Sequence, residues 1–285
     1  MNKKISQLHP CFNGQSHNKF GRLHLPISAS CNIQCRFCRR ALNKTENRPG
    51  VSGRILSLEE VISTIEKALV LCPEITVIGI AGPGDSLATD NAVEAFEIVH
   101  KQYPELIKCL STNGLLLPQK ISRLFNAGVS TITVTVNAVD PEIVPKIVSH
   151  IFYKGEKLTG ALMAETLIKN QLEGIRKASS LGITVKVNTV LIPGINDLHI
   201  EETAKTVKEA GAEIYNIIPL IPQGEFETFS EPNCSQLSDA RLAAQKHIPV
   251  FYHCKHCRAD ACGIPGKNDF SSQIYGGQME TFSHG

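Results

Sequence analysis

The sequence lacks any apolar run that approaches the ~20 residues of a membrane-spanning helix. It also lacks a strong charge imbalance, because its formal net charge is only +2, which gives no general attraction to nucleic acid or anionic membranes. The first thirty residues are polar and are interrupted by Pro10, Gly14 and Gly21, which argues against a secretory signal peptide. We therefore expect a cytoplasmic protein with neither nucleic acid nor a membrane as its partner.

Ten cysteines are many for such a chain, because the cytoplasm keeps thiols reduced and disulfides are rare there. Single cysteines are commonly small buried apolar residues, which is how we interpret Cys72 and Cys234. Most of the others cluster toward the two ends of the chain, as Cys31, Cys35, Cys38, Cys254, Cys257 and Cys262. Clustering of this kind indicates metal binding.

The length of 285 residues, with 42% hydrophobic and 20% charged residues, is typical of a globular α/β protein. Short β-branched segments alternate with longer helical patterns. The first kind predicts strands over 22–27, 75–80, 106–111, 130–137, 183–190 and 213–219. The second predicts helices over 57–71, 89–102, 118–127, 161–181, 197–210 and 235–247. Repeated strand–helix–strand units imply right-handed parallel crossovers, so the expected fold is a partial (β/α)6 barrel.

We expect an N-terminal extension over 1–21, the barrel over 22–222 and a C-terminal extension over 223–285. Residues 148–160 are expected to form an inserted loop. Polar and glycine-rich turns follow four predicted strands, with the sequences AGPGD (81–85), STNG (111–114), VNAVD (136–140) and LIPGIND (191–197). Ligands of parallel α/β folds collect at the ends of strands, so we expect these turns to border one cavity.

The spacing Cys31-x3-Cys35-x2-Cys38 follows the first predicted strand. A structural zinc site usually has four ligands with its cysteines in CxxC pairs, and a redox dithiol needs only one such pair. A ferredoxin-type cluster takes four thiolates. Three thiolates hold a four-iron cluster and leave one iron free, which an amine and a carboxylate on adjacent carbons of a small molecule can chelate.

This triplet, with Phe37 before its last cysteine, resembles the radical S-adenosylmethionine (radical SAM) superfamily. The resemblance implies a [4Fe-4S] cluster that donates an electron to bound S-adenosylmethionine and so yields methionine and a 5′-deoxyadenosyl radical. In such enzymes the cofactor carries the difficult step, and the protein supplies position and exclusion of water.

Seven segments in order over residues 11–266 resemble the NifB family of nitrogenase cofactor maturases: CNIQCRFCRR, ENRPGVSG, GIAGPGD, STNGLLLP, TVTVNAVDPEI, VKVNTVLIPGIND and HCKHCRADACG. The resemblance implies fusion of two [4Fe-4S] clusters, with a carbide and an added sulfide, into an eight-iron cofactor precursor. One S-adenosylmethionine would give its methyl group to a cluster sulfide, and a second would give the radical that abstracts hydrogen from it. Implied partners are a cluster donor and an acceptor of the precursor. The sequence matches a short form without the further C-terminal domain of some members.

Fusion requires two more clusters, and the best candidate ligands for one are Cys254 and Cys257 of a CxxC pair together with Cys11. Zinc or a redox pair is the alternative for this CxxC. For the other cluster we consider His24, whose strand position alternates with leucines, and Cys109 on the third strand. A single histidine or cysteine at such a position more often has a structural role. The family resemblance favours both residues as cluster ligands.

One departure from the family concerns the stretch ALNKTE after the triplet, where many members have a further cysteine. The second cluster would then have only His24 and Cys109, or would borrow Glu46, Cys262 or an external thiol. We expect a cluster anchored by two ligands to be labile and partly occupied.

Candidate S-adenosylmethionine contacts are polar or small residues at strand ends, and they are Gly84, Asn113, Thr135, Asn188 and Ile192. Glu46 is the candidate catalytic residue, as a labile ligand or a base toward the methyl-derived carbon, with a solvated pair with Arg48 as the alternative. Two other functions stay open. One is a radical enzyme with auxiliary clusters that acts on an organic substrate, and the other is a non-catalytic iron–sulfur carrier or scaffold.

Overall fold

The computed structural model describes residues 3–276 and 282–284. Parts of the two predicted extensions, residues 1–2, 277–281 and 285, lie outside the described residues. The strands are β1 Gly21–His24, β2 Ile33–Cys35, β3 Arg40–Leu42, β4 Val51–Ser52, β5 Ile75–Ile80, β6 Ile107–Thr112, β7 Val129–Thr135, β8 Val148–Tyr153, β9 Glu156–Leu158, β10 Thr184–Leu191, β11 Ile214–Pro219, β12 Cys262–Gly263 and β13 Phe282–His284. The helices are α1 Lys3–Leu8, α2 Val61–Leu71, α3 Asn91–Gln102, α4 Leu117–Asn126, α5 Val144–Ile147, α6 Gly160–Ser180, α7 Ile200–Glu209, α8 Cys234–Gln245 and α9 Ser271–Ile274, with 3-10 turns at Asp197–His199 and Gly224–Phe226.

Seven of these strands form one curled sheet in the order β11-β10-β7-β6-β5-β1-β12. The pairs among β1, β5, β6, β7, β10 and β11 are all parallel, and a helix follows each strand on the way to the next. Among the described residues, the outermost strands β11 and β12 do not pair with each other, so the sheet stays open. This arrangement confirms the predicted partial (β/α)6 barrel.

The helices form because their apolar residues recur at a helical spacing that one face can bury. In α3 the buried side chains include Ala92, Phe96 and Val99, each one turn from the next. In α4, Pro118 stands at the first turn, where its missing N–H costs nothing, and Ile121 and Leu124 are buried below it. These faces pack on the outer side of the sheet and form the main hydrophobic core.

Along the parallel strands, alternate side chains face the core and the interior of the half-barrel. The core side takes apolar residues such as Leu23, Leu110, Val134 and Val187. The interior side takes their neighbours His24, Cys109, Thr135 and Asn188. The alternation therefore separates a dry layer beneath the helices from a polar, thiol-bearing inner wall.

Residues 148–160 do not form the loop that we expected. They form a hairpin of β8 and β9 in which Lys154 and Gly155 both have positive φ, 52° and 84°, as a tight primed turn requires. Strand β8 pairs with β2, placing Ile151 opposite Ile33 and Val148 opposite Cys35. The hairpin thus supports the loop that carries the cysteine triplet.

Both terminal segments join the barrel. Ile5 and Phe12 of the N-terminal segment pack with Phe251 and with Ile214, the first residue of β11. Strand β12 adds to the sheet edge by antiparallel pairing with β1, with Arg22 opposite Gly263. Within residues 3–276 and 282–284, no helix has the length and apolar character that crossing a bilayer requires.

Candidate active site

One cavity of about 400 Å³ opens on the inner face of the half-barrel. Eight residues proposed as metal ligands line it, and they are Cys11, His24, Cys31, Cys35, Cys38, Cys109, Cys254 and Cys257. Four of the five proposed S-adenosylmethionine contacts also line it, namely Gly84, Asn113, Thr135 and Asn188. Candidates from distant parts of the chain thus line one cavity.

The three cysteines of the triplet line the cavity and are half-buried. Burial raises the pKa of the Cys31 thiol to about 12, with Asp85 adding to the shift. Burial also raises the pKa values of Cys35 and Cys38. Cys35 lies close enough to its two partners that either charged sulfur would raise its pKa further. Without a cation these thiols stay protonated and unreactive, so a metal is needed to stabilise them as thiolates.

This donor set fits a four-iron cluster better than a single ion. Among the residues that the structure describes, no three cysteine, histidine or acidic side chains converge closely enough to hold one metal ion. A cluster binds each thiolate through a different iron, so its ligands stand farther apart than those of one zinc ion. The triplet offers three thiols to one cavity, which is the donor number that leaves one iron of such a cluster open.

The loop bearing Cys31 is fixed by the turn after β5. Gly84 donates its N–H to the carbonyl of Ser28 at 2.6 Å, and Asp85 donates its N–H to the carbonyl of Ser30 at 2.8 Å. A Cβ on Gly84 would stand 2.1 Å from the Ser30 oxygen, so only glycine allows this approach. Gly84 therefore acts on the triplet through the backbone that precedes Cys31.

Asp85, which we did not single out from the sequence, organises the end of β6. Its buried carboxylate accepts hydrogen bonds from the Thr112 hydroxyl at 3.0 Å and from the Leu87 N–H at 2.9 Å, and also one from the Asn113 N–H. The Asn113 side chain then donates to the Asn32 side-chain oxygen at 2.6 Å. The Asn113 amide thus braces the triplet loop.

Two proposed site residues lie apart from the cavity wall. Ile192 is fully buried and packs in a second core cluster with Leu115 and Ala138. Glu46 is bound by the Arg48 guanidinium, whose Nε donates to it at 2.7 Å. Partial burial favours the neutral acid, but hydrogen bonds from Arg48 and Asn43 outweigh it and lower the pKa of Glu46. Of this pair, only Arg48 lines the cavity.

His24 lines the cavity, and a hydrogen bond fixes the tautomer of its ring. Its Nδ1 lies 3.0 Å from the carbonyl oxygen of Arg258, and because a carbonyl only accepts, Nδ1 carries the proton. Burial, with Arg22 nearby, lowers the pKa of His24 to about 4, so the ring is neutral at pH 7. Nε2 therefore offers a lone pair, in the arrangement that metal-binding histidines adopt. Gly79 leaves room for the ring, since a Cβ there would stand 2.9 Å from Cδ2.

Cys11 and the CxxC pair meet at the amino ends of the strands, where two cations face them. Arg22 on β1 donates from Nη2 to the Cys257 sulfur at 3.2 Å. Lys186 on β10 donates from Nζ to the Cys11 carbonyl at 3.1 Å and lies over the rings of Phe12 and Phe251, at 4.7 and 5.4 Å. Burial raises the pKa of Cys11 to about 12, and Lys186 partly offsets that rise.

We missed Arg22 and Lys186 in the sequence, although both carry a signal. Each is a basic residue between apolar neighbours on a buried strand, as in VKVN, and such a residue must face an inner polar space. Cys72 and Cys262 are buried outside the cavity wall, and Cys234 is exposed at the start of α8. These three cysteines therefore stand apart from the site.

Comparison with known proteins places the fold and the motifs in one family. The model of the radical SAM superfamily matches residues 25–207. FeMo cofactor biosynthesis protein NifB of Methanocaldococcus infernus is 46% identical over 273 residues, covering 95% of this chain and 90% of that protein. The protein of the same name from Methanocaldococcus jannaschii is 47% identical over 262 residues, covering 91% and 87%. In Klebsiella pneumoniae the protein of that name is 40% identical, and the match covers 91% of this chain and 57% of the relative.

Solved structures agree in fold at low sequence identity. A radical SAM methyltransferase from Sphaerobacter thermophilus superposes with a TM-score of 0.55 at 20% identity, over 81% of this chain and 64% of its own. Streptococcus suis SuiB bound to S-adenosylmethionine superposes with a TM-score of 0.57 at 12% identity, over 84% of this chain and 52% of its own. Together with the cysteine triplet and the partial barrel, the close relatives settle the assignment. The chain belongs to the radical SAM superfamily and, within it, to the NifB family of FeMo cofactor biosynthesis proteins.

Proposed function

We propose that this chain fuses two [4Fe-4S] substrate clusters, with a carbide derived from S-adenosylmethionine and an added sulfide, into the eight-iron precursor of the nitrogenase cofactor. The observation that supports this most directly is the cavity of about 400 Å³, which three separate sets of candidate iron ligands line. An enzyme that needs only its own cofactor has use for one set. Three sets around one cavity fit a reaction that brings clusters together.

The triplet at Cys31, Cys35 and Cys38 would hold the resident cluster with its open iron. When bound there, that cluster and S-adenosylmethionine supply methyl transfer and reductive radical formation. The walls beside the triplet are apolar, since Ile33 and Phe37 pack against a cluster of buried residues that includes Val144, Ile147 and Leu167. This packing keeps water from the region in which a radical would form.

The two other ligand sets would receive the substrate clusters. His24 on β1 and Cys109 on β6 lie at the same level on either side of β5, because His24 pairs with Gly79 and Gly79 pairs with Cys109. Cys11, Cys254 and Cys257 face Lys186 and Arg22, and these cations balance the negative charge of thiolate-bound clusters. A cluster-donor protein and an acceptor of the precursor would act at this cavity.

Reductive cleavage of S-adenosylmethionine separates this function from its rivals. After dithionite reduction of reconstituted protein, we expect both 5′-deoxyadenosine and S-adenosylhomocysteine, measured by liquid chromatography, because methyl transfer precedes hydrogen abstraction. The variant Cys234→Ala, altered at an exposed cysteine outside the cavity, should give both products at the unaltered rate. 5′-Deoxyadenosine alone would indicate an organic-substrate enzyme, and absence of both products would indicate a carrier or scaffold.

Iron content tests the His24 and Cys109 ligand set. Each of His24→Ala and Cys109→Ala should lower the iron of reconstituted protein by up to about four per chain, since a cluster contains four irons. If this site is only partly filled in the unaltered protein, each substitution removes correspondingly less iron. A suitable control is His150→Ala, because His150 lies on strand β8 outside the cavity wall. Iron content equal to that of the control in both variants would reject the two ligands.

A further inference from the structure

Two histidines of the N-terminal segment, His9 and His17, also line the cavity, and neither belongs to the three ligand sets. A neutral imidazole carries one proton, so the partner of one ring nitrogen fixes the state of the other. The structure gives each ring one such partner. It thereby distinguishes a nitrogen that can bind iron from one that cannot.

His17 has a free lone pair. Its Nδ1 lies 2.8 Å from the carbonyl oxygen of Pro10, and since that oxygen only accepts, Nδ1 carries the proton. Nε2 is then an acceptor, and it is buried with no hydrogen-bond partner among the described residues. The whole residue is only 4% exposed. A buried acceptor without a partner is costly, which indicates that a group outside the described residues satisfies it.

His9 is the opposite case. Its Nδ1 accepts the backbone N–H of Cys11 at 3.1 Å, so its proton is on Nε2. That nitrogen is a donor and has no lone pair for a metal. His9 can hydrogen-bond to a sulfide or a thiolate, but it cannot bind iron in this state.

His17 lies between the two segments that bring thiols to the amino end of the barrel. Its hydrogen-bond partner Pro10 directly precedes Cys11. Its ring centroid lies 5.7 Å from that of His253, which directly precedes Cys254. Gly14 lets the two segments approach, since a Cβ there would stand 2.5 Å from the His253 Nε2. The unpartnered nitrogen thus belongs to a residue that contacts the neighbours of Cys11 and Cys254 and lines the same cavity as Cys11, Cys254 and Cys257.

We propose that Nε2 of His17 is a fourth protein ligand, to the remaining iron of the substrate cluster held by Cys11, Cys254 and Cys257. The proposal rests on the proposed function, because it needs that cluster to be present. Imidazole is a suitable ligand for iron. A cluster with this fourth ligand has no open iron, so S-adenosylmethionine is directed to the triplet cluster. A neutral imidazole also adds no negative charge, which makes the cluster easier to release than one bound by four thiolates.

The test uses the full chain with Cys31→Ala, Cys35→Ala, Cys38→Ala and His24→Ala, labelled with ¹⁵N-histidine and reconstituted anaerobically. This background removes the triplet cluster and the other candidate histidine ligand. Pulsed electron paramagnetic resonance of the reduced protein should show a strong ¹⁵N coupling from directly bound imidazole. Labelling histidine alone excludes any signal from the Arg22 nitrogen beside Cys257. The coupling should disappear in His17→Gln and persist in His253→Gln.

A second variant covers the case in which His17→Gln does not fold, as judged by circular dichroism of the metal-free protein. His17→Cys replaces the imidazole with a thiol, so the iron should stay and the nitrogen coupling should disappear. A coupling that persists in either His17 variant, or that disappears in His253→Gln instead, overturns the His17 assignment alone. A background protein that binds no iron overturns this assignment and the second substrate site of the proposed function together.

Discussion

Replacing Cys31, Cys35 and Cys38 together with alanine is expected to abolish cleavage of S-adenosylmethionine while about four to eight irons per chain stay bound, at four irons per cluster. The reason is that the triplet and the proposed substrate-cluster ligands lie in different parts of the cavity. The triplet lies on the loop after β1, braced by Asn113 and the hairpin of β8 and β9, whereas Cys11 packs at the amino ends of the strands. The residual iron would come from the two proposed substrate sites, of which the one at His24 is expected to be partly filled. Iron analysis and chromatography of both products provide the measurement.

The matched control for this triple variant is Cys234→Ala, which removes an exposed thiol and should leave iron and both products unchanged. Complete loss of iron in the triple variant would mean that the chain holds one cluster only. Continued cleavage of S-adenosylmethionine would mean that the triplet is not where it binds. Either result would contradict the separation of resident and substrate clusters.

Gly84→Ala is expected to lower the rate of S-adenosylmethionine cleavage by about a hundredfold, the effect of displacing a reacting group by ~1 Å. A Cβ at this position would stand 2.1 Å from the Ser30 oxygen and 2.6 Å from its carbonyl carbon, whereas ordinary contacts begin near 3.4 Å. Both neighbours are backbone atoms that cannot rotate away. The strain therefore moves the residues directly before Cys31, and with them the resident cluster. Overpacking of this kind also costs about 1–3 kcal/mol of folding free energy.

A second glycine provides the comparison for Gly84. Gly155, at the turn of the hairpin, has φ of 84°, and a Cβ added there would have no atom within 4 Å, so Gly155→Ala strains only its own turn. This variant should lose about 1–2 kcal/mol of stability, the usual cost of a left-handed residue, with full activity. Thermal unfolding and single-turnover cleavage rates distinguish the two. Equal activity in both variants would show that the close approach at Ser30 has no role in placing the triplet.

Much of the barrel follows from local pattern. The β-branched run ITVIGI predicts a strand over 75–80, and β5 has these bounds. The helix predicted over 161–181 is α6, one residue earlier at each end. Such segments are predictable because periodicity of two or 3.6 residues is forced by burying one face. The same rule predicts that His24 and Cys109 face inward, and both line the cavity.

Other parts depend on contacts that a local pattern does not contain. The hairpin over 148–158 could have been found from its β-branched run and Gly155, but its pairing with Ile33–Cys35 spans more than a hundred residues. Ile192 lies in the polar turn directly after β10, yet its side chain is buried in the core cluster that also contains Leu115. The unpartnered nitrogen of His17 depends on the Pro10 carbonyl, and no spacing of histidines predicts a tautomer. The catalytic role of Glu46 stays a prediction. Its carboxylate accepts a hydrogen bond from Arg48, which is the pairing that the sequence analysis gave as the alternative.

The pairing of Arg22 with Gly263 has a consequence for biogenesis. During synthesis the amino-terminal part of a domain emerges first, and contacts between distant residues form late. Cys11 leaves the ribosome long before Cys254 and Cys257, so a nascent chain does not present the complete proposed ligand set at the amino end of the barrel. If these three cysteines hold a substrate cluster, that cluster must enter after the C-terminal segment has been synthesised, whereas the triplet of Cys31, Cys35 and Cys38 is complete early.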